Sequence, residues 1–456
     1  MSYQLFFRYS IMWAAVMAVV VTLGLGFGVS LSSELRWPYV EKLGPTQALR
    51  APAFLPINDN TIIWQPSTAD TPLIVQSIAT RAASGLLPYP DVNPQRWLAT
   101  PAEGDTFHVI WLEDDDRLRS ALIAADGETQ RGPITLAFSA GRDFSIAALA
   151  DRGVLVVWRN PATHEATAQI SDAAGRPLAT STVTLAHVDQ IAVAADQAET
   201  LHFAWITTDS SGQHNIYYQS TTRDQIVLDA TTPVHTLDLA PTASIIAFML
   251  GLDETHVYLV WSQMTAAQPD HERVYTLTFP FNQPDEAQIS EIFLPQKSAS
   301  YQSITVDTGA FALDRVQSLA AGSDEAAVLR WPVIASSQST LLPLAITYRT
   351  ADGWRPAVVY FQQGLPLGYH LIADHPADAS PPAIGMGADG QLVVAWSGLE
   401  GVTPMVYAAR LDDQGLVSSS EHRWGIALVV GVLAGFAVWG AGQYGHYRRN
   451  RPDSSV

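Results

Sequence analysis

A short apolar strand ending in tryptophan recurs along this chain at a fixed spacing. It reads Thr61-Ile62-Ile63-Trp64, Phe107-His108-Val109-Ile110-Trp111, Val154-Leu155-Val156-Val157-Trp158 and Leu201-His202-Phe203-Ala204-Trp205. Trp111, Trp158 and Trp205 each follow the preceding copy by 47 residues. Further copies end at Trp261, Trp331 and Trp396, after gaps of 56, 70 and 65. A period of roughly 40–50 residues is the mark of a repeat fold in which each copy stacks on its neighbours, and it matches propeller blades.

The unit around Trp111 serves as a template. Phe107–Leu112 reads as a strand, Glu113-Asp114-Asp115-Asp116 as a hairpin loop and Leu118–Ala125 as the return strand. Asp126-Gly127 is a turn, Pro133–Phe138 a further strand, and Ser145–Ala150 leads through Asp151-Arg152-Gly153 into the next tryptophan strand. Four short strands per unit, separated by polar turns and without sustained helical periodicity, predict an all-β chain. The expectation is a seven-bladed β-propeller over residues 51–420. Six or eight blades also fit, because Pro332 follows Trp331 at once and extra sequence lies around Pro280–Tyr301. Each Trp is expected in the second strand of its blade, wedged between sheets, where an aromatic ring buries the most area. Residues 32–50 form a connector broken by Pro38 and Gly44-Pro45. The last unit lacks a clear fourth strand, so Leu43–Arg50 is expected to supply it, or Leu416–Ser420 to pair beside it.

Two of these units resemble the sialidase-like, or BNR-repeat, propellers. The closest stretches are Ile191–Trp205 with Asn215–Ser220 and Ala383–Trp396 with Val406-Tyr407. A shortened form of the family's Asp-box stands at Thr350-Ala351-Asp352-Gly353-Trp354. The resemblance implies the fold over residues 51–415. A sialidase would also need three Arg holding a carboxylate, a Tyr nucleophile paired with an acid, and an Asp acid/base; none is matched by motif. Arg142, Arg273 and Arg330 are the Arg that would have to meet at the central channel.

Two uncharged apolar runs flank the repeats, at residues 11–31 and 424–444. Each is long enough to span a bilayer as a helix, since about 20 apolar residues suffice. The first is longer than a signal-peptide core and no A-x-A-like site follows it, so it reads as an uncleaved signal anchor. Arg8 before the first run and Arg448, Arg449 and Arg451 after the second predict that residues 1–10 and the basic tail 445–456 are cytoplasmic. The middle domain is then extracytoplasmic, on a two-pass plasma-membrane protein. Gly24/Gly28 and Gly431/Gly435 give each run a G-x-x-x-G face that lets helices approach closely.

Net charge is −19, which argues against nucleic acid as a partner. The chain has no cysteine, so disulfides, thiolate metal sites and Cys nucleophiles are excluded. Glu113–Asp116 lacks the Gly and the alternating spacing of a Ca²⁺ loop and reads as a solvated hairpin tip. His108, His202 and His256 fall in different units and do not predict a metal site. Tyr217-Tyr218 could stack a sugar, but strand aromatics more often pack. No metal or cofactor is expected. These features predict a surface-anchored propeller that binds a protein or a glycan or serves as an assembly platform. The alternatives are a sialidase-like glycosidase and a subunit of a larger membrane complex.

Overall fold

The computed structural model describes residues within 40–411, apart from 47–51, 56–60, 65–73, 78–82, 86–95, 114, 125–127, 142–143, 179–182, 230, 240–242, 267, 293, 295–302, 308–311, 319–328, 335–340, 351–352, 373–378 and 387–391. They belong to one compact unit, Tyr39–Leu411. The apolar runs 11–31 and 424–444, with Gly24, Gly28, Gly431 and Gly435, lie outside the described residues. Among the described residues no helix is long and apolar enough to cross a membrane.

The fold is an all-β propeller of antiparallel meanders. The first strand, β1 (Val40–Pro45), is set aside by the chain and used last. A sheet of β2 (Ala53–Leu55), β3 (Thr61–Trp64), β4 (Ile74–Ser77) and β5 (Ala83–Gly85) follows in sequence order. The next sheets are β6 (Arg96–Pro101) to β7 (Thr106–Leu112), β8 (Leu118–Ala124) and β9 (Thr129–Ala137), then β10 (Phe144–Ala148), β11 (Val154–Asn160), β12 (Glu165–Ser171) and β13 (Val183–Leu185). A fourth contains β14 (Gln190–Ala195), β15 (Thr200–Thr208), β16 (His214–Thr222) and β17 (His235–Leu237).

The fifth sheet has ten strands. It begins with β18 (Ala243–Leu252), β19 (His256–Thr265), β20 (Gln268–Pro280) and β21 (Gln288–Glu291). It then takes in β22 (Ser303–Asp307), β23 (Ala312–Ser318), β24 (Leu329–Ile334), β25 (Leu341–Thr350), β26 (Gly353–Gln362) and β27 (Leu365–Leu371). The last sheet is β28 (Ala383–Met386), β29 (Leu392–Glu400) and β30 (Thr403–Leu411), completed by β1 on β30. In that seam Val40 pairs with Ala409 and Pro45 with Met405. The expected closing strand therefore exists as Val40–Pro45, which overlaps the expected Leu43–Arg50; residues 47–50 and Leu416–Ser420 lie outside the described residues.

Among the described residues, six hydrogen-bonded sheets replace the seven separate blades expected. The cause is one bridge: Glu272 of β20 pairs with Leu329 of β24 and merges two four-stranded runs. The sequence between them adds the hairpin β22–β23, which extends β27 through Gln317–Tyr369 and Ser318–Gly368.

The core lies between sheets, which explains the near-continuous apolar runs: a strand covered on both faces has no solvent side to alternate toward. Trp158 packs with Ile110, Leu112 and Leu118 of the preceding sheet. Trp205 does the same with Leu155 and Val157, Trp261 with Ala204 and Ile206, and Trp396 with Ala345 and Val358. Contacts between first strands run β2–β6–β10–β14–β18–β24–β28 and back to β2, closing the arrangement on itself.

Polar turns set the register of the hairpins. In the Asp151-Arg152-Gly153 turn, Asp151 Oδ1 accepts the Gly153 N–H at 3.0 Å, and Arg152 takes φ 67°. Asp196, Asp209 and Asp253 cap their own turns in the same way, as short acidic side chains do when they stand in for a backbone acceptor.

Candidate functional site

The tryptophans form a scaffold. Trp64 is on β3, Trp111 on β7, Trp158 on β11, Trp205 on β15, Trp261 on β19 and Trp396 on β29, the second strand of each sheet or four-stranded run. Trp331 differs: it lies on β24, the first strand of its run, and the buried Ile346 of β25 stands where the others have Trp. Three of the tryptophans stack on the tyrosine directly opposite in the third strand. The pairs are Trp205–Tyr217 at 5.5 Å, Trp261–Tyr275 at 5.5 Å and Trp396–Tyr407 at 5.8 Å. Tyr217 is thus a packing residue, and Tyr218 lies edge-on to Phe279 at 4.9 Å.

At the end of the sheets where first strands turn into second strands, the turn tips are exposed, while His108, His202 and Asp253 just behind them are buried. His108 is fully buried, and its Nε2 lies 3.2 Å from the carbonyl of Arg152 in the next sheet's turn. His202 Nδ1 lies 2.6 Å from Tyr218 Oη and its Nε2 3.4 Å from Asp196 Oδ2. Burial lowers the pKa of both imidazoles, against the opposing pull of the Arg152 carbonyl on His108 and of Asp196 on His202. Burial likewise raises the Tyr218 hydroxyl well above its ordinary value, so it stays protonated. His256 belongs to a third cluster: its Nδ1 is 2.7 Å from Thr255 Oγ1, and Asp253 accepts the N–H groups of both residues. The three histidines sit on β7, β15 and β19 and do not converge. Among the described residues no group of three or more His, Asp or Glu could hold a metal ion.

The opposite end carries the loops between second and third strands and the connectors to the next sheet. The acidic loop here is partly paired within itself: Glu113 faces Arg117 and Arg119, and Arg117 also faces Asp115. Asp114 lies outside the described residues. Of the Asp-box-like stretch, Thr350 pairs with Gly353 and Trp354 with Arg349, and Ala351 and Asp352 lie outside the described residues. Of the Arg considered for a carboxylate clamp, Arg142 lies outside the described residues, as does the Arg330 side chain. Arg273 is on β20, the third strand of its run, with Glu291 at 3.9 Å.

One polar constellation at this end was not legible in the sequence. Asp189, on the connector into β14, takes a hydrogen bond on Oδ2 from Thr208 Oγ1 and lies 3.5 Å from His164 Nδ1 through Oδ1. Thr208 Oγ1 also lies 2.9 Å from His214 Nδ1. Three loops from two sheets are brought together: the Asn160–Glu165 turn, the connector and the hairpin between β15 and β16. His164 and His187 both hold positive φ, 56° and 60°, a backbone state uncommon for residues other than glycine. The connector is fixed by Val188 N–H to the His164 carbonyl at 2.8 Å and Asp189 N–H to the Ile206 carbonyl at 2.8 Å.

No protein-family model matches the sequence, and no curated protein does. Among solved structures, a family PL25 polysaccharide lyase, an ulvan lyase, is similar with a TM-score of 0.47 and 11% identity over 82% of this chain and 96% of the other. A lectin from Burkholderia pseudomallei gives 0.43 and 10% over 78% and 98%. A fungal lectin from Aleuria aurantia, a six-bladed β-propeller, gives 0.38 and 10% over 72% and 96%. The fold assignment rests on the strand registers and the cycle of first strands, not on these likenesses.

Proposed function

We propose that this chain is a membrane-anchored, extracytoplasmic β-propeller that binds a protein or a glycan through its loops. The observation that carries the anchoring is the β1–β30 seam: Val40 stands opposite Ala409, so the chain enters and leaves the propeller at one end of one sheet. That arrangement suits a domain tethered at both ends, and the apolar runs 11–31 and 424–444 with their flanking Arg supply the tethers. The plasma membrane, with both termini cytoplasmic, is the proposed location. Close packing of the Gly24/Gly28 and Gly431/Gly435 faces, against each other or against a partner helix, belongs to the same reading.

We also read the ten-stranded sheet as two blades side by side, which gives a seven-bladed propeller. Two four-stranded meanders share one strand-pairing bridge there, Glu272–Leu329, and both β18 and β24 take part in the cycle of first strands.

A binding role is supported by where the polar groups go. His108, His202, Asp196 and Asp253, at the end where first strands turn into second strands, are engaged in turns and sheet-to-sheet contacts, whereas the opposite end carries loops of differing sequence on a rigid frame, the usual place for recognition.

The absence of native cysteine makes the topology directly testable. Single-cysteine variants Ser211→Cys, Ser2→Cys and Ser454→Cys, treated with a membrane-impermeant maleimide on intact cells, should label only at position 211. Labelling at position 2 or 454 before lysis would overturn the topology. For the ligand, crosslinking on cells and a glycan array with the full chain separate a protein partner from a glycan. Release of fluorophore from a 4-methylumbelliferyl sialoside would instead establish a glycosidase.

A further inference from the structure

We infer that His164 and His214, held by Asp189 and Thr208, form a paired hydrogen-bond acceptor site for a neutral, hydroxyl-bearing ligand, a glycan. The inference rests on the proposed binding role of the loop end and names the residues and ligand chemistry within it.

The protons decide the argument. A threonine hydroxyl has one hydrogen to give and lone pairs to accept with. Thr208 gives its hydrogen to Asp189 Oδ2. Its contact with His214 Nδ1 at 2.9 Å therefore requires the imidazole to be the donor. His214 is thus held with its hydrogen on Nδ1, which leaves Nε2 as an acceptor in the neutral ring. His164 turns Nδ1 toward the other oxygen of the same carboxylate, at 3.5 Å. A carboxylate beside a ring nitrogen favours the tautomer with the hydrogen on that nitrogen, so His164 Nε2 is left as an acceptor too. One carboxylate sets two imidazoles in the same tautomer, and the His164 side chain is 52% exposed.

Two imidazole acceptors ask for hydrogen-bond donors from the ligand. Asp189 lies between them, and the chain carries a net charge of −19, so an anionic ligand is disfavoured. Two imidazoles and a carboxylate also resemble a metal-site donor set, but among the described residues no group of three such side chains is placed to hold a metal ion. The hydroxyls of a neutral sugar supply donors without charge. The positive-φ backbone at His164 and the pinned connector keep the rings in place before a ligand arrives, so little ordering is lost on binding.

The test uses the full chain in detergent on an array of neutral and sialylated oligosaccharides, with and without EDTA and with ZnCl2 as a separate probe. The expected result is binding of neutral glycans that EDTA does not change. His164→Ala and His214→Ala should each weaken it by about tenfold, the effect of one lost hydrogen bond, with unfolding temperature unchanged. Asp189→Asn should weaken it through the loss of tautomer control, read as an altered ¹⁵N shift pattern of the two rings. Glycan binding unaffected by any of the three variants would overturn the site but leave the binding role standing. Binding that requires Zn²⁺ would overturn the acceptor chemistry. If no neutral glycan binds while crosslinking recovers a protein partner, the glycan class is wrong and the binding role survives.

Discussion

Tyr258 and Gly364 join the two halves of the merged sheet: the Gly364 N–H donates to Tyr258 Oη at 2.9 Å, across 106 residues of sequence. The same hydroxyl gives its hydrogen to the buried Asp253 at 2.5 Å, and the Gly364 carbonyl accepts from Thr278 Oγ1 at 3.0 Å. Burial, with the Asp253 carboxylate, keeps the Tyr258 hydroxyl protonated far above neutral pH. The bond therefore serves as a fixed fastener. Tyr258→Phe strips a donor from a buried carboxylate and an acceptor from a buried amide. A loss of roughly 1–3 kcal/mol is expected for such unsatisfied groups, measured by denaturant unfolding against wild type.

Two glycine substitutions should separate close approach from backbone strain. A Cβ on Gly153 would stand 2.5 Å from the Ser171 carbonyl oxygen, a backbone atom that cannot swing aside. Gly153→Ala is expected to cost about 1–3 kcal/mol, as overpacking does. Gly212 holds φ +84° with nothing within 4 Å of the added Cβ, so Gly212→Ala costs only the left-handed conformation, about 1 kcal/mol. Equal losses in thermal unfolding would show that the Ser171 contact does not matter.

Acid should loosen the fold through its buried histidines before its carboxylates. His108 and His202 have folded pKa values below 6.5. The unfolded chain therefore binds more protons as pH falls through that value, and stability falls with it. Asp151 acts lower. Burial raises its pKa, but the Arg223 hydrogen bond and the turn amide outweigh this, and the net value falls below 3.8. Its stabilisation is present above 3.8 and is lost as pH drops through its folded value. Unfolding temperatures between pH 7.5 and 5 should decline in wild type and decline less in His202→Gln. A parallel decline in both would remove His202 as the cause.

Trp396 is fully buried between two sheets and stacked on Tyr407. Trp396→Ala should cost about 3–5 kcal/mol, the range for deleting a core aromatic ring, whereas a Phe at the same place should retain most of the stability. Denaturant midpoints of the two variants check this.

The seam predicts where the chain can be cut. Residues 39–411 retain β1 and should fold as one unit, while 47–411 lacks the outer strand of the last sheet and leaves the edge of β30 unpaired. A lower unfolding temperature and aggregation are expected for the shorter chain. Equal stability of the two would show that β1 is dispensable.

The sequence by itself determined the repeat. The 47-residue spacing, the polar turns and the apolar strands are local signals, and each reflects a cost paid within a few residues: turns need Asp or Gly, and doubly covered strands need apolar side chains throughout. The second-strand place of Trp111, Trp158 and Trp205 follows from that pattern. Tertiary structure decided the rest because it depends on distant pairings. Trp331 carries the right local signal but entered a first strand, since the hairpin β22–β23 takes up the preceding length and Ile346 fills the buried slot. The bridge from Glu272 to Leu329, the closing strand at Val40–Pro45 and the meeting of His164, Asp189, Thr208 and His214 all join segments whose spacing in the chain says nothing of their contact.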